Sequence, residues 1–215
     1  MLIERPPLLY RLLFPGAVWR INTHPAKAVY LTFDDGPIPE VTPWVLDMLD
    51  SRGAKATFFM VGQNAERHPD LVDEVISRGH SVGNHTMHHM QGAKATLEEY
   101  SADISAAEPW LGGVCDKPAA ARRLFRPPHG LMRLGQLRKV RADGYAIIMH
   151  DVVARDYDAG QSPERVVRNV VRNVRPGSVV VLHDSLKAWP RLRHALPLIL
   201  DHLTAMGYQL PPIQL

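Results

Sequence analysis

The stretch Ala28-Val29-Tyr30-Leu31-Thr32-Phe33-Asp34-Asp35-Gly36-Pro37 contains an apolar run of strand length that ends in two adjacent carboxylates. Two carboxylates this close repel each other, so both stay ionised only where a cation or a hydrogen-bond network separates their roles. A metal ion held by one carboxylate would leave the other free to act as a base. The stretch therefore predicts a buried strand that delivers acidic groups to a reactive site.

Ligands for such a metal ion occur later in the chain, in His85-Thr86-Met87-His88-His89. Histidines three or four residues apart are predicted to lie on one helical face, where two imidazoles can hold a single ion. With Asp35 they would form a set of two histidines and one carboxylate that leaves coordination positions open for water and substrate. Open coordination favours hydrolysis over a structural metal site.

The length and composition predict one soluble domain. Alternating α/β domains commonly reach 215 residues as single units, and 46% hydrophobic with 22% charged residues is ordinary for a globular protein. The net charge of +3 is modest and the 25 Lys and Arg residues form no long basic block, so no nucleic-acid partner is expected. A single cysteine, Cys115, excludes an intramolecular disulfide. The sequence does not predict the oligomeric state.

Residues 1–26 are predicted to form an N-terminal extension packed on the domain. Their apolar side chains are interrupted by Glu4, Arg5 and Arg11, so no stretch approaches the roughly 20 residues that span a bilayer. The early Glu4 and the pair Pro6-Pro7 fit a signal peptide poorly. We therefore expect a cytoplasmic location and a short amphipathic element on the domain, with a membrane-surface anchor as the alternative.

Apolar runs of strand length alternate with segments of helical period along the rest of the chain. The candidate strands are Ala28–Phe33, Thr57–Val61, His80–Gly83, Arg123–Arg126, Tyr145–Met149 and Ser178–Leu182. The candidate helices are Pro43–Arg52, Pro69–Arg78, Thr96–Trp110, Leu134–Ala142, Pro163–Val174 and Ala188–Met206. This repeating βα order predicts a parallel sheet or barrel wrapped in helices. Glycine caps are expected where helices give way to strands, at Gly53, Gly79, Gly144 and Gly207.

The residues that carry chemistry lie at or just past the carboxyl ends of the candidate strands. Active sites of βα barrels are built on that face, from the strand ends and the loops that follow them. Structural histidines scattered along a chain would have no reason to follow this rule. The residues concerned are Asp34, Asp35, His85, Arg126, Asp151 or Asp156, and His183.

Five segments, in this order and rough spacing, resemble the polysaccharide deacetylases, which are metal-dependent carbohydrate esterases. The segments are Thr32-Phe33-Asp34-Asp35-Gly36-Pro37, His85-Thr86-Met87-His88-His89, Arg126-Pro127-Pro128-His129-Gly130, Asp156-Tyr157 and Leu182-His183-Asp184. The resemblance spans residues 27–208, which would be the catalytic domain, and leaves 209–215 as a C-terminal tail. It implies a single α/β domain, a distorted (β/α) barrel of the polysaccharide deacetylase type.

The resemblance implies a role for each carboxylate of the first motif. Asp34 looks like the general base that takes a proton from the attacking water, and Asp35 looks like a metal ligand. His85 and His89 would complete the protein ligands, with His88 as a neighbour. Zinc is the expected metal, although cobalt, nickel or iron would fit the same donor set.

The later motifs imply the partners of that base and a general acid. Arg126 resembles the residue that pairs with Asp34 and keeps it ionised. His183 resembles the general acid, with Asp156 as the carboxylate that orients its ring and raises its pKa; Asp151 is the alternative orienting carboxylate. A backbone N–H near His129 would stabilise the oxyanion.

The resemblance also implies a sugar-binding groove in which this chain departs from the family pattern. His129 and Tyr157 stand where other aromatic residues are usual, and Val153 takes the place of a carboxylate. The expected substrate-binding residues are Pro128, His129, Gly130, Tyr157 and Leu182.

The implied activity is hydrolysis of N-acetyl groups from N-acetylglucosamine-type sugars of chitin-like or peptidoglycan polymers, so the expected partner is a carbohydrate. Two alternatives remain: a catalytically weak carbohydrate-binding protein of the same fold, and a hydrolase of a non-sugar amide or imide. Intact Asp34 and His183 argue against the first, because a binding module needs neither a base nor an acid.

Overall fold

The computed structural model describes residues 4–22, 27–112 and 122–215. Cys115 therefore lies outside the described residues. The described chain contains one parallel sheet whose seven strands are β1 (Tyr30–Asp34), β2 (Thr57–Met60), β3 (Ser81–Asn84), β4 (Arg123–Phe125), β5 (Tyr145–Ile147), β6 (Val152–Val153) and β7 (Val179–His183). The strand order is β5-β4-β3-β2-β1-β7-β6, and the sheet curls into an open barrel. The predicted α/β barrel is confirmed.

Helices accompany the strands along the described chain. They are α1 (Leu8–Leu12), α2 (Thr42–Asp50), α3 (Gly62–Arg67), α4 (Pro69–Ser77), α5 (Leu97–Ala107), α6 (Leu134–Ala142), α7 (Pro163–Val171) and α8 (Trp189–Ala205). Short 3₁₀ turns cover Gly92–Lys94, Glu108–Trp110 and Pro128–Gly130.

Local sequence explains where several helices begin. Thr96 caps α5 by accepting a hydrogen bond from the Glu99 N–H, and the Glu99 side chain accepts from the Thr96 N–H in return. Ser162 caps α7, where Pro163 supplies a preformed first-turn φ angle. The four predicted glycine caps all have positive φ, which costs glycine little.

Strand alternation divides the buried side chains between two cores. Leu31 and Leu182 face outward against the helices, whereas Tyr30 and Val179 fill the barrel interior. Because both faces are covered, every residue of β1 is buried. The strand is therefore a largely apolar run in which Thr32 and Asp34 are the buried polar residues.

The N-terminal segment lies between the edge strand β5 and the start of β7, which is next to the other edge strand β6. The Val18 N–H donates to the Ile147 carbonyl at 2.8 Å, and the Met149 N–H donates back to the Val18 carbonyl at 2.8 Å. Three residues on, the Ile21 N–H donates to the Gly177 carbonyl, just before β7. Residues 18–21 thus bridge the open side of the barrel.

The predicted strands and helices agree with the structure except at their ends and in their shortest members. β1 begins two residues later than predicted, and α7 ends three residues earlier. β6 has two residues and α3 has six. Segments this short show no period that sequence inspection can detect, and neither was predicted.

Candidate active site

The predicted catalytic and metal-binding side chains converge at the carboxyl end of the barrel. Asp34 and His183 are register partners on the adjacent strands β1 and β7, and both continue the interior rows of their strands. They border a cavity of about 390 Å³, a volume typical of small-molecule sites. The cavity is lined by Tyr10, Asp34, Asp35, His85, His89, Arg126, Pro127, His129, Gly130, His150, Val153, Tyr157, Val181, His183 and Lys187.

Asp35, His85 and His89 each present one ligand atom, and the three atoms lie within 4.8 Å of one another. Nε2 of His89 is 3.3 Å from Asp35 Oδ1, and Nε2 of His85 is 3.8 Å from the same oxygen. His85 Nδ1 lies 2.7 Å from the Arg126 carbonyl, which can only accept, so Nδ1 carries the proton and Nε2 keeps its lone pair. The donor set fits a divalent metal ion.

Electrostatics keep these groups in the protonation states that metal binding needs. Burial lowers the pKa of His85 to about 4, so its ring is neutral at pH 7. Burial alone would raise the pKa of Asp35, but its hydrogen bond to His89 and the nearby imidazoles lower that pKa below its usual range.

The predicted helical face for the two histidines is wrong. Residues 85–89 form a turn after β3, in which Thr86 and His89 have positive φ. Asn84 Oδ1 accepts from the Thr86 N–H, and the Thr86 hydroxyl accepts from the Met90 N–H, so side chains of the turn replace helical hydrogen bonds. The turn brings His85 and His89 together, with ring centroids 5.0 Å apart.

His88 points away from this cluster, because its Nδ1 lies 2.6 Å from Asp103 Oδ1. This agrees with its prediction as a neighbour of the site.

The turn that carries Asp35 is held by the residue after His183. The Gly36 N–H donates to Asp184 Oδ1 at 3.1 Å, and the Thr42 hydroxyl donates to Asp184 Oδ2 at 2.6 Å. A Cβ atom at position 36 would lie 2.0 Å from Asp184 Oδ2, so only glycine fits there. Burial raises the pKa of Asp184 to about 8.

Asp34 is paired with Arg126, as predicted. Arg126 Nη1 lies 2.6 Å from Asp34 Oδ1, and both side chains are buried. The guanidinium also donates to the carbonyls of Ile148 and Met149, and it stacks 4.1 Å from the centroid of Phe59. Arg126 is thus fixed in one orientation, and it orients the Asp34 carboxylate in turn.

His183 is held by Asp156 and not by Asp151. The His183 Nδ1 and its backbone N–H each lie 2.8 Å from an Asp156 carboxylate oxygen. Burial by itself would lower the pKa of His183, but the Asp156 carboxylate, with further help from Asp35 and Asp34, raises it to about 9. The ring is therefore protonated at neutral pH. Asp151 instead binds arginine side chains at the base of the N-terminal segment.

The 3₁₀ turn at Pro128–Gly130 forms another wall of the cavity. His129 and Gly130 both have positive φ, and the Gly130 N–H donates to the Pro127 carbonyl within the turn. The Tyr10 hydroxyl donates to the Gly130 carbonyl at 2.6 Å, which ties this wall to the N-terminal segment. The His129 ring packs edge-on against His89, with centroids 4.7 Å apart.

Of the five predicted substrate-binding residues, His129, Gly130 and Tyr157 line the cavity. Leu182 does not, because alternation along β7 directs it into the outer core while Val181 and His183 face the cavity. Pro128 is buried in the turn and does not line the cavity either. For these two positions substrate contact stays a prediction.

Sequence reasoning missed three polar side chains that line the cavity: Tyr10, His150 and Lys187. His150 directly follows the predicted strand Tyr145–Met149, so the strand-end rule would have found it. Burial and then the charge of Arg126 lower its pKa to about 3, which keeps the ring neutral. Lys187 lies 5.7 Å from the Tyr157 ring centroid. Neither Tyr10 nor Lys187 belongs to a motif that sequence inspection singles out.

Comparison with known proteins identifies the class. The polysaccharide deacetylase family model matches residues 21–150, which is more than half of the chain. A peptidoglycan-N-acetylglucosamine deacetylase of Bacillus cereus is 36% identical over 193 residues, which cover 89% of this chain and 88% of that protein. The chain belongs to the polysaccharide deacetylase family, whose members are metal-dependent deacetylases, and it is a hydrolase of amide bonds.

Other relatives agree with this assignment. A chitooligosaccharide deacetylase of Azorhizobium caulinodans is 32% identical over 202 residues, covering 89% of this chain and 95% of that protein. The crystal structure of a peptidoglycan N-acetylglucosamine deacetylase in complex with 4-naphthalen-1-yl-N-oxidanyl-benzamide superimposes with a TM-score of 0.82 at 33% identity, covering 90% of this chain and 89% of that one. Among the described residues, no helix combines the length and apolarity needed to cross a membrane.

Proposed function

We propose that this protein removes N-acetyl groups from N-acetylglucosamine units of peptidoglycan or chitin-like glycans and releases acetate. The observation that carries the proposal is the arrangement around one cavity: a metal-type donor set, a carboxylate paired with arginine and a histidine paired with a carboxylate. Hydrolysis of an amide needs each of these functions, whereas carbohydrate binding needs none of them.

Asp35, His85 and His89 are the proposed metal ligands, and zinc is the proposed ion because imidazole and carboxylate donors with an open position suit it. When bound, the ion supplies a Lewis acid that lowers the pKa of water and polarises the amide carbonyl.

Asp34 is the proposed general base. Its carboxylate lies in the cavity, and Arg126 holds it by a 2.6 Å ion pair with Nη1, so it is oriented when water binds. The proton of the attacking water moves to Asp34 as the water oxygen bonds to the acetyl carbon. We assign the backbone N–H of His129 as a donor to the oxyanion that develops.

His183 is the proposed general acid. The amine leaves only if its nitrogen is protonated when the carbon–nitrogen bond breaks, and the protonated His183 ring faces the same cavity. Asp156 orients the ring through Nδ1, which directs Nε2 to the leaving nitrogen. The products are acetate and a free amino sugar.

The test is acetate release from N-acetylglucosamine oligomers, peptidoglycan fragments and simple acetamides. The protein is stripped of metal with a chelator and then reloaded with zinc. We expect release from the glycans only after zinc is restored, and none from an Asp34→Asn control. Release from acetamides alone would show that the substrate is a non-sugar amide and not a glycan. Zinc binding at one equivalent with no release from any compound would overturn the hydrolase assignment in favour of carbohydrate binding.

A further inference from the structure

Helix α1 exposes an apolar surface beside the catalytic cavity. Its four leucines, counting the C-cap residue, are Leu8, Leu9, Leu12 and Leu13, and they are 72%, 79%, 67% and 60% exposed. No residue of α1 is buried. Single exposed leucines are common on proteins, but four within six residues form a contiguous patch that calls for a partner.

This patch does not belong to a loose chain end, because the residues between the leucines fix the segment. The Tyr10 hydroxyl donates to the Gly130 carbonyl, and Arg11 Nη2 lies 2.6 Å from Asp151 Oδ1. Phe14 is buried in the core beneath Tyr10, with ring centroids 5.4 Å apart. The leucines are therefore presented outward by a segment that is anchored on its inner side.

Positive charge accompanies the leucines. The described N-terminal residues 4–22 contain three arginines and one glutamate. Arg5, Arg11 and Arg20 all lie within 4.0 Å of the buried carboxylate of Asp151, together with Arg175. One negative charge faces four positive charges there, and the side chains of three of the four arginines are 37% to 43% exposed.

We propose that α1 and its flanking arginines form a docking surface for an anionic lipid bilayer. Leucines on the outer side of a short helix, in a segment that also carries surplus arginines, match the pattern of segments that lie in the bilayer interface. The arginines attract acidic headgroups, and the leucines then enter the boundary of the acyl chains. This surface is independent of the hydrolase chemistry.

A second copy of the chain fits the patch less well. A stable protein interface buries roughly 800 Å² on each partner, and four leucines on a two-turn segment offer less area than that. Two copies would also bring together the same surplus of arginines, and like charges oppose association. An anionic bilayer complements both the apolar and the charged parts of the surface.

Docking at this surface has a consequence for substrate access. Tyr10, in the middle of α1, lines the catalytic cavity. A bilayer bound at the leucines would therefore lie beside the cavity, within reach of glycans that are held close to the membrane.

The test is sedimentation of the full chain with unilamellar vesicles of phosphatidylglycerol and phosphatidylcholine in equal parts, and of phosphatidylcholine alone. The variant replaces all four leucines by glutamine (Leu8→Gln, Leu9→Gln, Leu12→Gln and Leu13→Gln). Because none of them is buried, its thermal unfolding should match that of the wild type. Leu198→Gln is the matched control, since Leu198 is 47% exposed on α8.

We expect the wild type and Leu198→Gln to sediment with the anionic vesicles, and the bound fraction to fall as salt rises. The four-leucine variant should lose about tenfold or more in partitioning, because burying even one leucine is worth about one order of magnitude. Equal binding by that variant, or equal binding of the wild type to neutral vesicles, would overturn the proposal. So would a dimer in solution that the four substitutions abolish.

Discussion

Asp34 and His183 are neighbours in the sheet, and each is held by a buried partner of opposite charge. Arg126 pairs with the Asp34 carboxylate, whereas Asp156 raises the pKa of the His183 imidazolium. A base and an acid side by side would otherwise exchange their proton and lose both functions. Separate, buried counter-ions give the two groups different electrostatic environments.

Asp34→Asn is predicted to lower kcat by at least about a hundredfold, because the amide cannot accept the proton of water. Zinc binding should survive, since Asp34 is not one of the three clustered donors. His89→Ala should lose both activity and high-affinity zinc binding. Steady-state kinetics with calorimetric zinc titration make the comparison. Full activity of Asp34→Asn would show that Asp34 is not the general base.

Asp156→Asn is predicted to shift the alkaline limb of kcat/KM to lower pH by about one unit or more. The free imidazolium is lost as pH rises through its pKa, about 9 in the metal-free protein. Without the Asp156 charge, burial dominates and lowers that pKa. A bound cation would lower the pKa in both proteins, so the difference remains. Asp158→Asn, whose carboxylate pairs with Arg155, is the control. Coincident profiles for all three proteins would exclude His183 as the titrating acid.

Tyr10→Phe is predicted to lower kcat about tenfold with little change in KM, because one buried hydrogen bond of about 1–1.5 kcal/mol no longer fixes the Gly130 carbonyl. Tyr10 is thus a positioning residue for the turn Pro128–Gly130, which carries the proposed oxyanion donor, the His129 N–H. Tyr208→Phe, in which the altered ring lies beside Lys27, is the matched control. A rise in KM alone would place Tyr10 in substrate binding instead.

The N-terminal segment acts as an element of the barrel although it forms no regular strand. Its backbone bonds both sides of the sheet opening through Val18 and Ile21. Asp151 fixes its side chains and also accepts from the Ser178 hydroxyl at 2.8 Å, at the start of β7. One buried carboxylate therefore links the segment to the sheet.

Asp151→Asn is predicted to reduce the free energy of unfolding by about 3 kcal/mol at pH 7, because it leaves the clustered arginines without their counter-ion. Burial opposes ionisation of Asp151, but Arg175 and Arg11 lower its pKa to about 2. Its contribution is therefore present above the unfolded pKa of about 3.9 and is lost as pH falls towards 2.

Urea denaturation at pH 7 and at low pH measures this contribution. Asp201→Asn removes an exposed partner of Arg52 and should change stability by about 0.5 kcal/mol or less. Equal losses for the two variants would show that the buried cluster does not secure the segment.

For the molecule as a whole, the metal ligands connect separate parts of the barrel. Asp35 follows β1, and His85 and His89 follow β3, with β2 between these strands. An ion that binds only the folded chain stabilises the whole barrel by mass action, by about 2.7 kcal/mol at a hundredfold excess over Kd.

Zinc is therefore predicted to raise the Tm of the stripped protein by about 5 to 10 °C under those conditions. Differential scanning calorimetry of the wild type with and without zinc measures the shift. His89→Ala is the control and should show little change. An equal shift in the variant would place the stabilising zinc elsewhere.

The cytoplasmic location stays a prediction.

The order of βα units and the motif residues could be predicted from sequence because buried parallel strands appear as apolar runs and reactive groups follow their ends. Asp34, Asp35 and His183 were found in this way. The helical placement of His85 and His89 failed because Thr86 and Asn84 make local hydrogen bonds that a helix template ignores.

By itself, the sequence determined the α/β barrel, the family and the residues of the motifs, since these depend on local pattern and order along the chain. Only the tertiary structure decided which carboxylate serves His183, and that Tyr10, His150 and Lys187 enter the cavity. It also showed that the leucines of α1 face outward while Asp151 binds arginines of the N-terminal segment together with Arg175. Such choices depend on contacts between residues far apart in sequence, where burial and charge select the partners.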